Sequence, residues 1–184
     1  ELTRWQAVKN LVGRATLDQI WTRHIADSLQ LLDLAGGHRW ADLGSGAGLP
    51  GLVLGIAALD ERPGMHVDLV ESNARKCAFL RHMARLTGAP VTVHQGRLEA
   101  VLGRLPHADV VTARALAPLS DLIRWSEELL KTGTVGLFPK GRDADVELTE
   151  ARKSWRFEAD VIPSRTDSEA RIVRIRSLHG QSSQ

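Results

Sequence analysis

A run of four glycines between a predicted strand and a predicted helix most constrains how this chain can fold. Residues 42–51 read Asp-Leu-Gly-Ser-Gly-Ala-Gly-Leu-Pro-Gly, and they begin at the end of the short stretch 39–43, Arg-Trp-Ala-Asp-Leu. That stretch predicts a β-strand, and Pro50 suits the first turn of a helix that continues to Ala58. Because glycine accepts positive φ and lets a ligand approach the backbone closely, the pattern indicates a binding loop after a strand.

Strand-like and helix-like segments alternate from residue 39 to about residue 153. Such alternation is typical of a parallel sheet with helices on both faces, the Rossmann-like α/β architecture. No helix long enough for a crossover separates the last two strands. They therefore predict an antiparallel C-terminal strand in a mostly parallel, seven-stranded sheet. The predicted strands are 39–43, 66–70, 91–94, 109–112, 134–138, 157–162 and 171–175, and the predicted helices are 50–58, 74–86, 119–130 and 146–153.

The part of the chain that precedes the sheet shows helical spacing of its apolar residues. It predicts one helix over residues 1–13 and a second that starts at Thr16 and ends at the Gly36–Gly37 pair. A length of 184 residues suits one domain with one core. We expect a helical extension at 1–37 packed on the core, a main α/β domain at 38–178 and a frayed tail at 179–184.

Composition narrows the class of protein and its partners. Hydrophobic residues make up 43% of the chain, and no apolar stretch approaches the ~20 residues that cross a bilayer. The single cysteine, Cys77, excludes an internal disulfide and suits a reducing cytosol. Of 24 basic residues most are Arg, whose planar fork suits phosphate and guanine edges, although a GC-rich genome would give the same excess. We therefore expect a cytoplasmic protein without a membrane span that can present a basic face to RNA.

Neither the histidines nor the cysteine indicate a metal site. The seven histidines lack the H-x-x-x-H spacing and the paired-cysteine spacing of metal ligands, so we predict no metal. The predicted helices also show no long heptad repeat of the kind that drives helical association, so we expect a monomer.

Two classes of cofactor are bound by glycine loops of this kind. Gly46 to Gly51 matches the dinucleotide pattern G-x-G-x-x-G, and Glu71 follows about 20 residues later, where an acid that binds ribose belongs. If the glycine pattern is counted from Gly44, Asp42 lies just inside the strand. This position favours S-adenosylmethionine as the cofactor, because the acid would repel a pyrophosphate. We therefore favour a methyltransferase, with Glu71 accepting from the ribose hydroxyls, over an NAD-type oxidoreductase, which stays the alternative.

Motifs along nearly the whole chain resemble one bacterial family in their order and spacing. They are Asn10–Val12, Arg23–Ser28, Asp42–Gly51, Glu71–Ser72, Lys76, Phe79–Leu80, Arg97–Glu99, Thr112–Ala115 and Pro139–Gly141. The family is ribosomal RNA small-subunit methyltransferase G, also called GidB, whose members methylate N7 of a guanine in 16S ribosomal RNA. The resemblance implies a class I S-adenosylmethionine-dependent methyltransferase fold. It also implies S-adenosyl-L-methionine as the cofactor, and 16S ribosomal RNA or the small ribosomal subunit as the partner.

The resemblance also implies which residues form the site. Arg114 is the catalytic candidate, and Arg23, His24 and Lys140 are candidates for guiding the RNA. The implied cofactor contacts come from the glycine loop, from later strand ends and from the arginine beside the reacting methyl group. They are Gly44, Gly46, Leu49, Glu71, Leu98, Glu99 and Arg114.

Several of these residues also have a purely structural interpretation. Leu49 could pack against its own helix, and Glu99 could stabilise a helix N-terminus. Arg114 could pair with Asp42 or with Glu71 instead of contacting a ligand. Position at a strand end favours a functional role for Glu71 and Arg114.

The reaction implied by the resemblance needs no general base, because guanine N7 carries an in-plane lone pair and no hydrogen. We therefore expect catalysis mostly from holding the base and the methyl donor in line. Arg114 should avoid N7 and contact O6, a phosphate or the cofactor carboxylate instead. Arg23 and His24, with Asp27 one turn later, form either an RNA rim or a polar seam against the sheet. An RNA-binding module without catalysis is a further alternative.

Overall fold

Seven strands form one sheet at the centre of the molecule. They are β1 (Arg39–Leu43), β2 (His66–Glu71), β3 (Val91–Gln95), β4 (Val110–Thr112), β5 (Val135–Lys140), β6 (Trp155–Pro163) and β7 (Arg171–Gln181). Their spatial order is β3-β2-β1-β4-β5-β7-β6. The first five strands pair in parallel, and β7 runs antiparallel to both β5 and β6. The predicted mostly parallel sheet with an antiparallel C-terminal strand is confirmed.

The computed structural model describes residues 19–181. The helix predicted over 1–13, the cap at Thr16 and the motif Asn10–Val12 lie outside the described residues. Residues 21–33, which we call the N-terminal segment, are helical but change type along their length. Trp21–Ala26 is π-helical, Asp27–Leu29 is an α-helical turn and Gln30–Asp33 is a 3₁₀ turn.

Six α-helices follow the N-terminal segment. They are α1 (Gly51–Glu61), α2 (Ala74–Thr87), α3 (Leu98–Val101), α4 (Leu119–Trp125), α5 (Glu127–Lys131) and α6 (Ala144–Ser154). The start of α2 is capped by Asn73, whose side chain accepts from Arg75 N and Lys76 N, and its end by Gly88 at φ 70°. Such caps are local signals, which is why the bounds of this helix agree with its sequence pattern.

Most bounds differ from the sequence prediction by one to three residues, and two elements differ more. The single helix predicted over 119–130 is two helices, because the backbone of Ser126 leaves the helical region at ψ 7°. This break lets α4 pack on α6 while α5 packs on β7, so tertiary packing overrides the continuous helical pattern. The strand predicted to end at residue 175 continues to Gln181, which pairs with Trp155. Part of the predicted tail at 179–184 is therefore strand.

Two hydrophobic cores lie on opposite faces of the sheet. Trp40 and Leu69 pack with α1 and α2 on one face. Leu43, Val70 and Phe138 pack with α4, α5 and α6 on the other. All five side chains are fully buried, as expected for a parallel sheet covered on both faces. Among residues 19–181, no helix has both the length and the apolar character that a membrane crossing requires.

The topology places a ligand site beside the carboxyl ends of β1 and β4. The chain runs outward from β1 to β2 and β3, then returns to β4 on the other side of β1. In open α/β sheets, ligands bind in the crevice where the strand order reverses in this way. The glycine loop follows β1 and therefore borders this crevice.

Candidate active site

The loop after β1 turns tightly because three of its glycines lie in the left-handed region. Gly44, Gly46 and Gly48 have φ values of 63°, 56° and 85°. The turn is closed by Ser45, whose carbonyl accepts from the amide of Gly48 at 2.7 Å. A Cβ atom at Gly44 would lie 2.5 Å from Cδ1 of Leu116, so this glycine also allows close approach of the segment after β4.

Asp42, the acid just inside β1, is fully buried behind the glycine loop. Its Oδ2 accepts from the amide of Gly51 at 3.1 Å, while Oδ1 has no hydrogen-bond partner among the described residues. Burial raises the pKa of this carboxyl to about 7 from an ordinary value of 3.8. The sequence predicts that Asp42 lies close to the amino-acid end of a cofactor, and this stays a prediction. In the structure its carboxylate supports the start of α1 through the amide of Gly51.

Glu71, at the end of β2, holds the glycine loop and borders a cavity. Its Oε2 accepts from the amide of Gly46 at 2.9 Å, and its Oε1 accepts from the amide of Asn73 at 2.7 Å. An ionised carboxylate has about four acceptor positions, so these two bonds leave capacity for a ligand hydroxyl. Glu71 is only 7% exposed, which makes its acceptor capacity available to a ligand in the cavity rather than to bulk water.

The first of two neighbouring cavities lies at the carboxyl ends of β1, β2 and β3 and has a volume of about 720 Å³. We call it the glycine-loop cavity. Four of the predicted cofactor residues line it, namely Gly44, Glu71, Leu98 and Glu99. The topology thus brings together residues from three different strand ends, as the sequence analysis predicts for them.

Two other predicted cofactor residues, Leu49 and Gly46, are not among the residues that line this cavity. Leu49 is 8% exposed and packs in the core with Leu52 and Leu80. Its structural interpretation, packing beside its own helix, is therefore the one the geometry supports. Gly46 contributes its amide to Glu71, so it shapes the site through that carboxylate.

The second cavity has a volume of about 580 Å³ and lies between the N-terminal segment, the residues after β4, the end of β5 and residues 164–172. We call it the Arg114 cavity. It brings Arg114 together with the three predicted RNA contacts, Arg23, His24 and Lys140. The sequence analysis grouped these four residues only through the family resemblance. The structure shows that all four line the same cavity.

Arg114 contacts the N-terminal segment. Its Nη1 donates to the carbonyl of Arg23 at 3.0 Å and to Oδ2 of Asp27 at 3.1 Å, and its Nη2 lies 3.1 Å from Nδ1 of His24. The sequence analysis offered Asp42 or Glu71 as its structural partners, but the ion pair forms with Asp27. The predicted polar seam between the N-terminal segment and the sheet is therefore present, and Arg114 is its centre.

His24 takes part in this seam as a neutral imidazole. Its Nδ1 faces a guanidinium N–H of Arg114, so that nitrogen must carry a lone pair. Burial, followed by the positive charge of Arg114, lowers the pKa of His24 below 6.5. Across residues 19–181, no three His, Cys, Asp or Glu side chains come close enough to hold a metal ion.

Lys140 is an ion-paired residue with a largely buried side chain rather than an exposed cation. Its side chain is 8% exposed, and its Nζ lies 2.6 Å from Oε2 of Glu147 and 2.7 Å from the carbonyl of Ala117. The same Glu147 oxygen accepts from the amide of Leu119 at 2.7 Å, at the start of α4. Lys140 is therefore part of the wall of the Arg114 cavity, where its ammonium group is held by Glu147 and Ala117.

Three residues that line the cavities are not among the site residues predicted from the sequence. Ala115 and Leu116 line both cavities and form the wall between them. Ala115 has φ 53°, an uncommon conformation for a residue with a Cβ, and strain of this kind concentrates at binding sites. Trp125 lines the glycine-loop cavity, and its buried indole N–H has no acceptor in the part of the chain that the structure describes. Only the strand-end position of Ala115 could have been read from sequence.

Comparison with known proteins agrees with this geometry. A sequence model of the family described as rRNA small subunit methyltransferase G matches residues 1–172. The Ribosomal RNA small subunit methyltransferase G of Methylorubrum extorquens (strain PA1) is 68% identical over 179 residues, 97% of this chain and 84% of the relative. The protein of the same name from Methylobacterium nodulans is 66% identical over 182 residues, 98% of this chain and 86% of the relative.

A solved structure shares the fold. A mutant of MtNAS in complex with S-adenosylmethionine superposes with a TM-score of 0.63 at 21% identity, over 96% of this chain and 72% of that chain. This similarity shows that the two chains share a fold. The family match supports the methyltransferase interpretation of the glycine loop, counted from Gly44, over the dinucleotide interpretation counted from Gly46.

Proposed function

This chain belongs to the rRNA small subunit methyltransferase G family, and from that premise we propose how its two cavities serve S-adenosylmethionine-dependent methylation of rRNA. The enzyme transfers a methyl group from S-adenosylmethionine to N7 of a guanine in 16S rRNA. In our proposal the glycine-loop cavity binds the cofactor, and the Arg114 cavity receives the target guanine.

The residues of the glycine-loop cavity fit a nucleoside with an amino-acid tail. Its volume of about 720 Å³ lies within the usual range for ligand cavities. Glu71 offers spare acceptor positions to a ribose diol, and Leu98 and Glu99 border the part of the cavity suited to an adenine edge. The indole N–H of Trp125, which lacks an acceptor among residues 19–181, would gain one from a polar ligand.

The shared wall of the two cavities is the observation that carries the proposal. Ala115 and Leu116 border both spaces, so a ligand in one cavity lies next to a ligand in the other. Direct transfer of a methyl group requires this adjacency, because donor and acceptor atoms must meet in line. Two separated pockets would not support the reaction.

In this reaction the protein needs to orient the two ligands, and it does not need to transfer a proton. When bound, S-adenosylmethionine supplies a methyl group on a positively charged sulfur. Because guanine N7 has no hydrogen, neither His24 nor Asp27 needs to act as a base. Arg114 offers N–H donors to guanine O6 or to a phosphate, and the apolar side chain of Leu116 excludes water from the boundary between the cavities.

The partner follows from the family. We propose that the protein acts as a monomer in the bacterial cytoplasm, on 16S rRNA or on the small ribosomal subunit. Arg23, which is about half exposed, and His24 supply the rim that meets RNA phosphates, with Lys140 supporting the wall behind them.

The decisive experiment offers tritiated S-adenosylmethionine to small ribosomal subunits, and separately to naked 16S rRNA, from a strain that lacks the enzyme. We expect label in the RNA, and digestion to nucleosides should place it in 7-methylguanosine. Label in a protein or a small molecule would contradict the ribosomal substrate. RNA binding without any transfer would favour the non-catalytic binding module.

A further inference from the structure

Asp27 accepts a hydrogen bond from the Arg114 guanidinium and forms an ion pair with it. The two side chains are only 16% and 17% exposed, and Nη1 of Arg114 lies 3.1 Å from Oδ2 of Asp27. They are 87 positions apart in the chain, one on the N-terminal segment and one after β4. The pair therefore joins two separate elements at the edge of the Arg114 cavity.

The Asp27 carboxylate is itself held from its other side. Its Oδ1 accepts from Oγ1 of Thr166 at 2.8 Å and from Nε2 of Gln30 at 2.9 Å. Gln30 in turn accepts from the amide of Arg165 at 2.9 Å through its Oε1. A partly buried ion pair is well placed only when its remaining acceptor positions are filled in this way. Residues 164–166, in the connection between β6 and β7, thus fix the direction in which Asp27 faces.

These contacts leave two N–H donors of the guanidinium without an acceptor in the part of the chain that the structure describes. The carbonyl of Arg23 and Oδ2 of Asp27 take Nη1, and His24 takes one hydrogen of Nη2. The remaining donors are the Nε–H and the second Nη2 hydrogen. Because Arg114 lines the Arg114 cavity, these donors are available to phosphate oxygens or to a guanine O6.

We infer that Asp27 is a positioning residue for methyl transfer, because it orients Arg114 so that these free N–H donors meet the target nucleotide. The inference rests on the proposed function, since it assumes that the Arg114 cavity receives the RNA. It assigns Asp27 no contact with the reacting atoms. Its effect should therefore reach the reaction through Arg114 alone, and should leave the glycine-loop cavity unchanged.

The first test is Asp27→Asn, which keeps the shape of the side chain and removes its charge. We expect kcat/KM for small ribosomal subunits to fall about 10- to 100-fold, the scale of one charge-assisted hydrogen bond lost from the transition state. Calorimetric affinity for S-adenosylhomocysteine should stay within about twofold, because Arg114 lines the Arg114 cavity and is not among the residues that line the glycine-loop cavity. Equal losses in both quantities would overturn the inference.

A double variant separates positioning from a general structural role. If Asp27 acts through Arg114, then Asp27→Asn added to Arg114→Gln should lower kcat/KM by no more than about twofold further. The inference would be overturned if Asp27→Asn lowered kcat/KM as much in the Arg114→Gln protein as it does in the unmodified protein.

Thr166→Val is a second variant that can be used if Asp27→Asn folds poorly. It removes a hydrogen-bond donor to Asp27 and leaves the charge of Asp27 unchanged. We expect it to lower kcat/KM about threefold, again with unchanged S-adenosylhomocysteine affinity.

A matched control lies on the same segment. Asp33→Asn breaks the 2.6 Å ion pair between Asp33 and Arg165, which also joins the N-terminal segment to the β6–β7 connection but is 60% and 66% exposed. We expect no change in kcat/KM, and a loss equal to that of Asp27→Asn would count against a specific role for Asp27. Transfer of label by the unmodified protein tests the proposed function separately. If that transfer occurs while Asp27→Asn is neutral, only the inference fails.

Discussion

The Glu71 carboxylate and the Gly46 amide are joined by a hydrogen bond of 2.9 Å, so the acid that faces the glycine-loop cavity also fixes the loop that forms its floor. The other carboxylate oxygen accepts from Asn73 at 2.7 Å, just before α2. Binding of a ribose at Glu71 and the conformation of the loop are therefore coupled through one side chain. A change at this position should affect both.

Glu71→Gln should weaken cofactor binding. The amide has only one acceptor oxygen, so its NH₂ group must face either the Gly46 or the Asn73 amide, and a donor then opposes a donor. We expect the Kd for S-adenosylhomocysteine to rise about 10- to 100-fold, and the free energy of unfolding to fall by about 1–2 kcal/mol. Isothermal calorimetry and urea denaturation measure the two effects.

The control for this variant is Glu158→Gln, which removes an exposed carboxylate on β6 that lines neither cavity. Its Kd should match that of the unmodified protein. An unchanged Kd in Glu71→Gln as well would remove Glu71 from the cofactor site.

Asp42→Asn should change how stability depends on pH. The pKa of Asp42 is raised to about 7 in the folded protein, whereas the unfolded chain has the ordinary value of 3.8. Between these values the folded state keeps a proton that the unfolded state has released, so the free energy of unfolding falls as pH rises. The slope from this group is at most about 1.4 kcal/mol per pH unit. Asn cannot titrate, so the stability of the variant relative to the unmodified protein should increase from about pH 4 to pH 7.

Asp109→Asn is the control, because the pKa of Asp109 is shifted in the opposite direction to that of Asp42. Hydrogen bonds from the amide of Arg39, and to a lesser extent that of His38, lower the pKa of Asp109 below 3.8. Its contribution to stability is therefore lost only as pH falls below that value, and the variant should differ from the unmodified protein by a constant amount at neutral pH. Parallel stability curves for Asp42→Asn would show that Asp42 does not titrate in this range.

The sheet could be predicted from sequence because its signals are local. Alternating apolar stretches mark the strands, and caps such as Asn73 and Gly88 mark helix ends. Glu71 could be identified for the same reason, since an acid at the end of a predicted strand lies in the crevice whatever the remaining packing is. The break at Ser126 could not, because it depends on what α4 and α5 pack against.

The partners of the charged residues could not be predicted from sequence. Arg114 and Asp27 are 87 positions apart, and Thr166 and Asp27 are 139 apart, so no periodicity relates them. Leu49 and Gly44 belong to one motif, yet only Gly44 lines the cavity, because the hydrogen bonds of the loop decide which residue faces outward. A motif locates the loop, and the surrounding packing decides which of its residues meet a ligand.

Lys140→Met should reduce stability rather than remove an RNA contact. Its ammonium neutralises Glu147 at 2.6 Å in a largely buried position, and Met would leave that carboxylate without its cation. We expect the free energy of unfolding to fall by about 2 kcal/mol. Adding Glu147→Gln should cost less than the two single changes together, because the lost interaction is the same one.

The salt dependence of RNA binding distinguishes a structural role of Lys140 from a contact with an RNA phosphate. If this lysine contacted a phosphate, Lys140→Met would reduce the slope of log K against log salt for 16S rRNA by about 1. We expect an unchanged slope, measured by filter binding between low and physiological salt.

Arg23→Gln should weaken RNA binding while leaving the fold intact. The Arg23 side chain is 48% exposed, and its ion pair with Asp167 spans 3.6 Å, so the pair adds about 0–1 kcal/mol to stability. If Arg23 neutralises one phosphate at the rim of the Arg114 cavity, the slope of log K against log salt for 16S rRNA should fall by about 0.7–0.9. Arg165→Gln is the matched control, because Arg165 is 66% exposed and pairs with Asp33 outside that rim. Equal slopes for the two variants would show that the cavity rim carries no specific phosphate contact at Arg23.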